Sequence, residues 1–522
     1  MSTLVPTRPT TPEALPSTDA PLPRRRRSRD ARLVLVLVAV TGLVHGLNIA
    51  GWPAYFDDEG TYLSQAFAVY GGDLAPYTYW YDHPPAGWIL LAPLAWLPAQ
   101  VVETQLVAGR LVMLLCSMVS AALLYVLARR LHLRRGFAAA AVLLWALSPL
   151  TVLESRQVFL DGLAVPWLLG AFALALAPRR GLGHAIGAGI LLGVACLTKE
   201  TTLVFAPAVV WALWLGSDRR TRAFDLVGFT LALGVTGGQY LLYALLKGEL
   251  FSGAGHVSLV DALRFQLEER EGSGFILEPG SGAHGILQYW LSFDSLLVIG
   301  GLVAGVAVLL RPRTRPLGVA VLIAAAVALR PDGYLPFMYV TVALPFCALA
   351  LAAALDHAWS GYEHLRGDVG PGQPRERPYQ AMAFVTTLLV AGPVLLGWPA
   401  QLRTALTEDV NQSHPRAVEW ITDNLSTDDV VVTDNTYFLD LAEAGWDPGW
   451  GVVWFTKLDL DPAADRELPD GWRDVDYVVW SEAFAFATAD ALPEVSQLQQ
   501  NSIVVASFGE GAQRVEIRQV TP

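Results

Sequence analysis

Residues 52–88, "WPAYFDDEGTYLSQAFAVYGGDLAPYTYWYDHPPAGW", concentrate ionisable groups directly behind a long apolar run. Asp57, Asp58 and Glu59 are consecutive, and Asp82–His83 follow before a Pro–Pro step. Farther along, Glu154 and Arg156, Asp161, Lys199 and Glu200, and Arg330 with Asp332 each stand at the mouth of another apolar run. Charge at membrane depth is costly unless paired or hydrated, so such residues are functional candidates. Carboxylates and cations facing one cavity suit a transfer reaction with an anionic leaving group. A carboxylate takes the acceptor's proton, and Lys or Arg stabilises the departing phosphate.

The elements that must position these groups are membrane helices. The 522 residues are 53% hydrophobic and 16% charged, against roughly 25% charged in soluble domains. Apolar runs recur at about 33–51, 106–128, 136–153, 159–177, 182–197, 202–216, 224–246, 291–310, 317–330, 335–355 and 380–400. That makes about eleven spans of the roughly 30 Å hydrocarbon layer. The shorter run 86–98 reads as an interfacial helix. Arginines fall in every second loop: Arg129/Arg130/Arg134/Arg135, Arg179/Arg180, Arg219/Arg220/Arg222, Arg311/Arg313/Arg315 and Arg366/Arg375/Arg377. By the positive-inside rule these loops are cytoplasmic, so the chain starts inside and ends outside. The loops between, chiefly 52–105 and 247–290, are then extracytoplasmic.

Residues 1–30 form a Pro/Thr/Ser-rich tail closed by Arg24–Arg27 and Arg29, read as disordered and cytoplasmic. Residues 31–400 are the membrane domain. From 401 onward the chain holds 22 acidic and 7 basic residues, a balance of −15 that leaves +3 for the rest of a chain of formal charge −12. This excludes nucleic acid as the tail's partner. "HPRAVEWITDNL" has helical spacing, and "DVVVTD", "GVVWFT", "VDYVVW", "SIVVASF" and "RVEIRQV" read as strands of a small outer α/β domain, 401–522. Cys116, Cys196 and Cys347 lie within apolar runs and suggest neither disulfides nor zinc. Three Lys against 33 Arg is the usage of a high-GC bacterium.

The pattern resembles the GT-C glycosyltransferases, specifically bacterial relatives of protein O-mannosyltransferases and of the aminoarabinose transferases that modify lipid A (the glycosyltransferase family 39-like group). "DDEGTY" matches an acidic pair opening the first outer loop. "YDHPPAGW" matches an acidic–basic–Pro pattern about 20 residues later. "ESRQVFLDGLAVPWLLGAFALAL", "GVACLTKETTLVFAPAVV" and "RPDGYLPFMYVTVALPFCALAL" match later span junctions, in order over residues 30–355. The resemblance implies a polytopic helical fold, a sugar carried on polyprenyl phosphate, and inverting transfer to an acceptor hydroxyl on a protein, lipid or polysaccharide. It implies Asp58 as the catalytic acidic position with Glu59 as its partner and Asp57 adjoining. Lys199, Arg330, His83 and Arg156 are the candidates for the donor phosphate, with Asp82, Asp161 and Tyr334 in support. His83 departs from the pattern, standing where many relatives carry a Lys.

Each candidate also has a plainer reading. Asp57 or Asp58 caps the helix that "DDEGTYLSQAFAVY" begins. Lys199 and Arg330 anchor span ends, Glu154 and Arg156 pair locally, and Tyr77, Tyr79, Trp80 and Tyr81 form an interfacial belt or a sugar platform. No cofactor is firmly implied, although the acidic triplet offers oxygen ligands to a divalent cation. A flippase of lipid-linked sugars and a non-catalytic scaffold with an outer binding domain are the alternative functions. Loop 247–290, Gly-rich and long, is read as a lid. The expected location is the bacterial inner membrane.

Overall fold

The computed structural model describes residues 24–102, 104–178, 181–368, 391–481 and 492–521. Among the described residues up to 368 the α-helices are α1 Arg24–Gly46, α2 Asp57–Gly71, α3 Ala86–Ala99, α4 Gln105–Arg130, α5 Arg135–Ala146, α6 Pro149–Arg156, α7 Leu160–Ala175, α8 Leu182–Thr198, α9 Ala206–Gly216, α10 Arg222–Gly237, α11 Gln239–Lys247, α12 Leu259–Arg264, α13 Gly282–Ser295, α14 Gly301–Val308, α15 Arg315–Ala328 and α16 Val340–Asp368. Among the described residues four helices or fused helix pairs are long and apolar enough to cross a bilayer, five if the bent α5–α6 pair is one span, and five shorter apolar helices accompany them. The expected run 380–400 lies mostly outside the described residues, as do residues 1–23, Arg179, Arg180, Arg375 and Arg377.

Two boundaries differ from the sequence reading. The helix α1 is already formed at Arg24, within the stretch expected to be disordered, and its Asp30 receives Arg135 at 2.6 Å and the Tyr125 hydroxyl at 2.9 Å. The run 136–153 is not one straight helix. α5 and α6 meet at 61°, because Pro149 has no N–H to continue the ladder and Ser148 Oγ caps the new helix by accepting from Thr151 N–H. Glu154 and Arg156 consequently sit on a buried helix rather than in an outer loop.

The helix α3 buries Trp88, Leu91 and Ala92 while Trp96 and Leu97 remain exposed, the two-faced pattern of an interfacial helix. The five expected strands all form, in a mixed sheet: Val431–Thr433 pairs in parallel with Val452–Trp454 and Tyr477–Trp480, and Val515–Val520 pairs antiparallel with Tyr477–Trp480 and with Ser502–Phe508. The helix Ser413–Asn424 buries Ala417 and Ile421 against it.

This domain sits on α2. The N-terminus of its helix Asn435–Ala444, capped by Asp434, abuts α2 at Gly60. A Cβ there would lie 1.9 Å from the Asn435 carbonyl oxygen, so only glycine permits the contact. Gly60→Ala should therefore force the two helices apart, at a cost of about 1–3 kcal/mol for overpacking. Limited proteolysis that cuts the C-terminal domain faster in the variant than in the wild type would register it.

Candidate active site

The three consecutive carboxylates point in three directions, as 100° steps around a helix require. Phe56 holds the N-cap position of α2, so none of the three is the cap. Asp57 Oδ1 accepts the Asn435 backbone N–H at 2.7 Å and ties α2 to the C-terminal domain. Burial, and next the facing Asp434, push its carboxyl well above the ordinary value.

Glu59 turns into the protein. Its oxygens receive Arg110 Nη2 at 2.7 Å and Nε at 2.9 Å, together with the backbone N–H groups of Phe56 and Val158, each at 3.1 Å. Both side chains are fully buried. Arg110 also donates to the carbonyls of Ile49 and Pro53 and lies 4.5 Å over the Tyr55 ring. With four donors on its carboxylate, Glu59 has no capacity left to assist Asp58. It is a structural residue, contrary to expectation, and its partner Arg110 was missed although a lone arginine in an apolar run demands one.

Asp58 remains, and it faces charge. Burial raises its carboxyl above the ordinary value, while Lys199 and then His83 pull it back; Asp82 opposes them and Arg270 adds a further cation. Around it stands a connected chain of side chains. Lys199 Nζ lies 3.1 Å from His83 Nε2 and 3.9 Å from Asp161 Oδ2, and His83 Nδ1 lies 3.1 Å from Glu200 Oε2. One ring nitrogen of His83 thus faces the Lys199 amine and the other the Glu200 carboxylate, so the imidazole bridges the two and orients Lys199. Lys199 itself is buried. Burial lowers the affinity of its amine for a proton, but Asp161, Glu200, Asp58 and Asp82 outweigh that and raise it above the usual lysine value.

Short polar turns and buried faces fix these positions. Asp82 Oδ1 accepts the His83 N–H at 3.0 Å, and the Tyr79 hydroxyl donates to the His83 carbonyl at 2.6 Å. Lys199 ends α8, where Gly87 of α3 packs against Leu160 and Thr198. Asp161 sits in the first turn of α7.

Two expected phosphate contacts are elsewhere. Arg156 is buried and donates to four carbonyls, those of Val44, Leu47, Trp52 and Ala405 at 2.7–3.1 Å. It closes the C-terminal end of α1, where unpaired carbonyls favour a cation. Arg330 is exposed and holds its own loop, donating to the Tyr334 carbonyl at 3.3 Å. The Tyr334 ring instead carries Arg270, 3.4 Å from its centroid. Arg270 comes from the Gly-rich segment 247–290 and was not a sequence candidate, because nothing in the spacing of "LEEREGSG" links it to Asp58. Tyr77, Tyr79, Trp80 and Tyr81 are not a belt: Tyr77 packs on Phe438 and Trp450, Trp80 on Trp454, and Tyr79 and Tyr81 on Tyr243. Among the described residues no three His, Cys, Asp or Glu side chains converge as a metal site.

Asp58, facing a lysine and an arginine, lies where the helical part of the chain meets the small α/β domain, and the architecture that brings these parts together is shared with solved structures. Residues 82–236 match the family model described as dolichyl-phosphate-mannose-protein mannosyltransferase. The structure of ArnT from Cupriavidus metallidurans bound to undecaprenyl phosphate aligns over 94% of this chain and 98% of its own, with TM-score 0.58 and 15% identity. The chain has the GT-C glycosyltransferase fold. A second solved GT-C structure, the archaeal oligosaccharyltransferase AglB from Archaeoglobus fulgidus in complex with an inhibitory peptide and a dolichol-phosphate, aligns over 91% of this chain and 73% of its own, with TM-score 0.54 and 14% identity. No curated protein matches the chain by sequence. The structural likeness spans the membrane helices and the C-terminal sheet together, whereas the sequence resemblance reached only residues 30–355.

Proposed function

We propose that the protein is a membrane glycosyltransferase that moves a sugar from polyprenyl phosphate to an acceptor hydroxyl on the outer face of the bacterial inner membrane. The observation that carries this reading is the single free carboxylate of the acidic triplet, Asp58, opposed by Lys199 and Arg270. Asp58 takes the proton of the acceptor hydroxyl, whose oxygen attacks the anomeric carbon. The bond from that carbon to the phosphate oxygen breaks, its electron pair leaves with polyprenyl phosphate, and Lys199 and Arg270 stabilise the released charge. A single displacement of this kind inverts the anomeric centre. The N-terminus lies inside and the C-terminal domain outside, in keeping with the arginine-bearing loops.

The test is transfer of label from polyprenyl-phosphate hexoses and pentoses to acceptors in membranes that contain the protein. Transfer from at least one donor is expected, and none from any would overturn the proposal. Within the same assay Lys199→Met should lower transfer by about 100-fold, the usual loss when one charge-stabilising donor is removed. His83→Gln, which can still accept from Lys199, should retain most activity. His83→Lys should not, since it sets a second ammonium against the first.

A further inference from the structure

A small cavity lies beside the Asp58 cluster and takes no part in the steps above. It lies between α2, the segment 75–82 and the C-terminal domain, and its volume is about 30 Å³. Gln65, Trp80 and Asn435 line it together with Asp82, Trp454 and Lys457. Gln65 and Asn435 are 8% and 2% exposed. Gln65 Oε1, Asn435 Oδ1 and the indole N–H of Trp80 are all buried and have no hydrogen-bond partner among the described residues. Asn435 cannot turn to relieve this, because its amide nitrogen already donates to Thr61 Oγ1 at 2.8 Å. Lys457 is likewise committed, lying 3.4 Å over the Trp80 ring and donating to the Thr78 carbonyl at 3.2 Å. With the equally unpaired indole N–H of Trp454, two acceptors and two donors line one small space, and unpaired buried polar groups are costly unless something fills them.

The position of the space indicates what that is. Asp58, Thr61 and Gln65 fall on one face of α2, so the cavity begins about 5 Å and ends about 10 Å along the helix from Asp58. Asp82 belongs to both sites, lining the cavity and acting electrostatically on Asp58. The volume admits a hydroxymethyl group or a pair of waters but not a sugar ring. A hydroxyl both donates and accepts, matching the mixture of groups on the walls. A serine or threonine has one hydroxyl, which the reaction consumes, whereas a sugar has others within a ring's breadth of it.

We propose that this cavity is an acceptor subsite, which takes a second hydroxyl or the hydroxymethyl group of a saccharide acceptor while the reacting hydroxyl meets Asp58. The proposal rests on the glycosyltransferase reading. Gln65→Met and Trp80→Phe keep the shape and remove one hydrogen-bonding group each, the latter leaving the ring under Lys457. In membranes given a labelled polyprenyl-phosphate hexose, two products are counted: sugar joined to polysaccharide and sugar released by water. Each variant should lower the first by about tenfold, as expected when an acceptor hydroxyl loses its partner, and leave the second unchanged. An unchanged ratio of the two, a parallel fall in both, or label carried on protease-sensitive material would overturn the subsite. A wild type that neither transfers nor hydrolyses any donor would overturn the underlying reading instead.

Discussion

Asp58→Asn should reduce sugar transfer by about 10²–10⁴-fold, the range for loss of a positioned general base, while the folded protein becomes no less stable. The two halves of that expectation have one cause. Burial holds the Asp58 carboxyl above its ordinary value despite Lys199 and His83, which means that the folded state disfavours the charged form. A carboxyl whose folded pKa is raised opposes folding at pH values above the unfolded one, and the opposition fades as pH falls and the group takes a proton. The amide removes the opposition and the base together. Thermal unfolding in detergent near neutral pH should give a midpoint equal to or above the wild type's, alongside lost transfer. The pH profile separates a base from a merely polar contact. Wild-type transfer should decline as pH drops through the raised Asp58 value, and the residual activity of Asp58→Asn should lack that limb. Undiminished transfer by the amide variant would remove Asp58 from the mechanism.

The triplet that holds Asp58 marks where sequence reasoning reached and where it stopped. Charge beside an apolar run marked residues 57–59, and the resemblance made Asp58 the catalytic acid with Glu59 its partner and Asp57 adjoining, so that all three were expected to face one place. Helical geometry gives them three: Asp57 to the C-terminal domain, Asp58 to the cations, Glu59 to Arg110. The strands of the C-terminal domain were legible because each is a short Val-rich run between turn residues. Its docking helix, "NTYFLDLAEA", was not, since it meets α2 across 378 residues of chain and no local pattern reports that. Gly60, the residue that makes the contact possible, carries no periodic signal at all. The same limit applies to cations. Lys199 was visible as a basic residue in an outer loop, where such residues are scarce, but Arg156 had the same signal and serves backbone carbonyls instead. Arg270 became a candidate only once its loop had folded over Tyr334. Pro149 was in plain view, yet the 61° break it makes in the third apolar run was not drawn from it.

Arg110→Met should cost about 3–5 kcal/mol of stability, because it leaves the Glu59 charge buried without its partner. Glu59 does not lose every ligand in that variant, as the Phe56 and Val158 N–H groups still point at it. Two amide donors do not neutralise a carboxylate in a fully buried site, so the group must take up a proton or pull water inward, and either route spends folding free energy. Arg110 also holds the chain between α1 and α2 through the Ile49 and Pro53 carbonyls, and the variant strands those as well. Replacing both members, Arg110→Met with Glu59→Leu, deletes the charges together. It leaves only backbone groups unpaired, so the double variant should be more stable than the sum of the single losses predicts. A double-mutant cycle on thermal or denaturant unfolding measures that coupling directly. Strict additivity would mean that the pair is not the unit that fixes α2, and that the position of Asp58, one residue earlier on the same helix, is set by the Asp57–Asn435 contact instead. Strong coupling would mean that the base is placed from below, by a buried ion pair the reaction never touches, and in that case Arg110→Met should also depress transfer at temperatures where the variant is still folded.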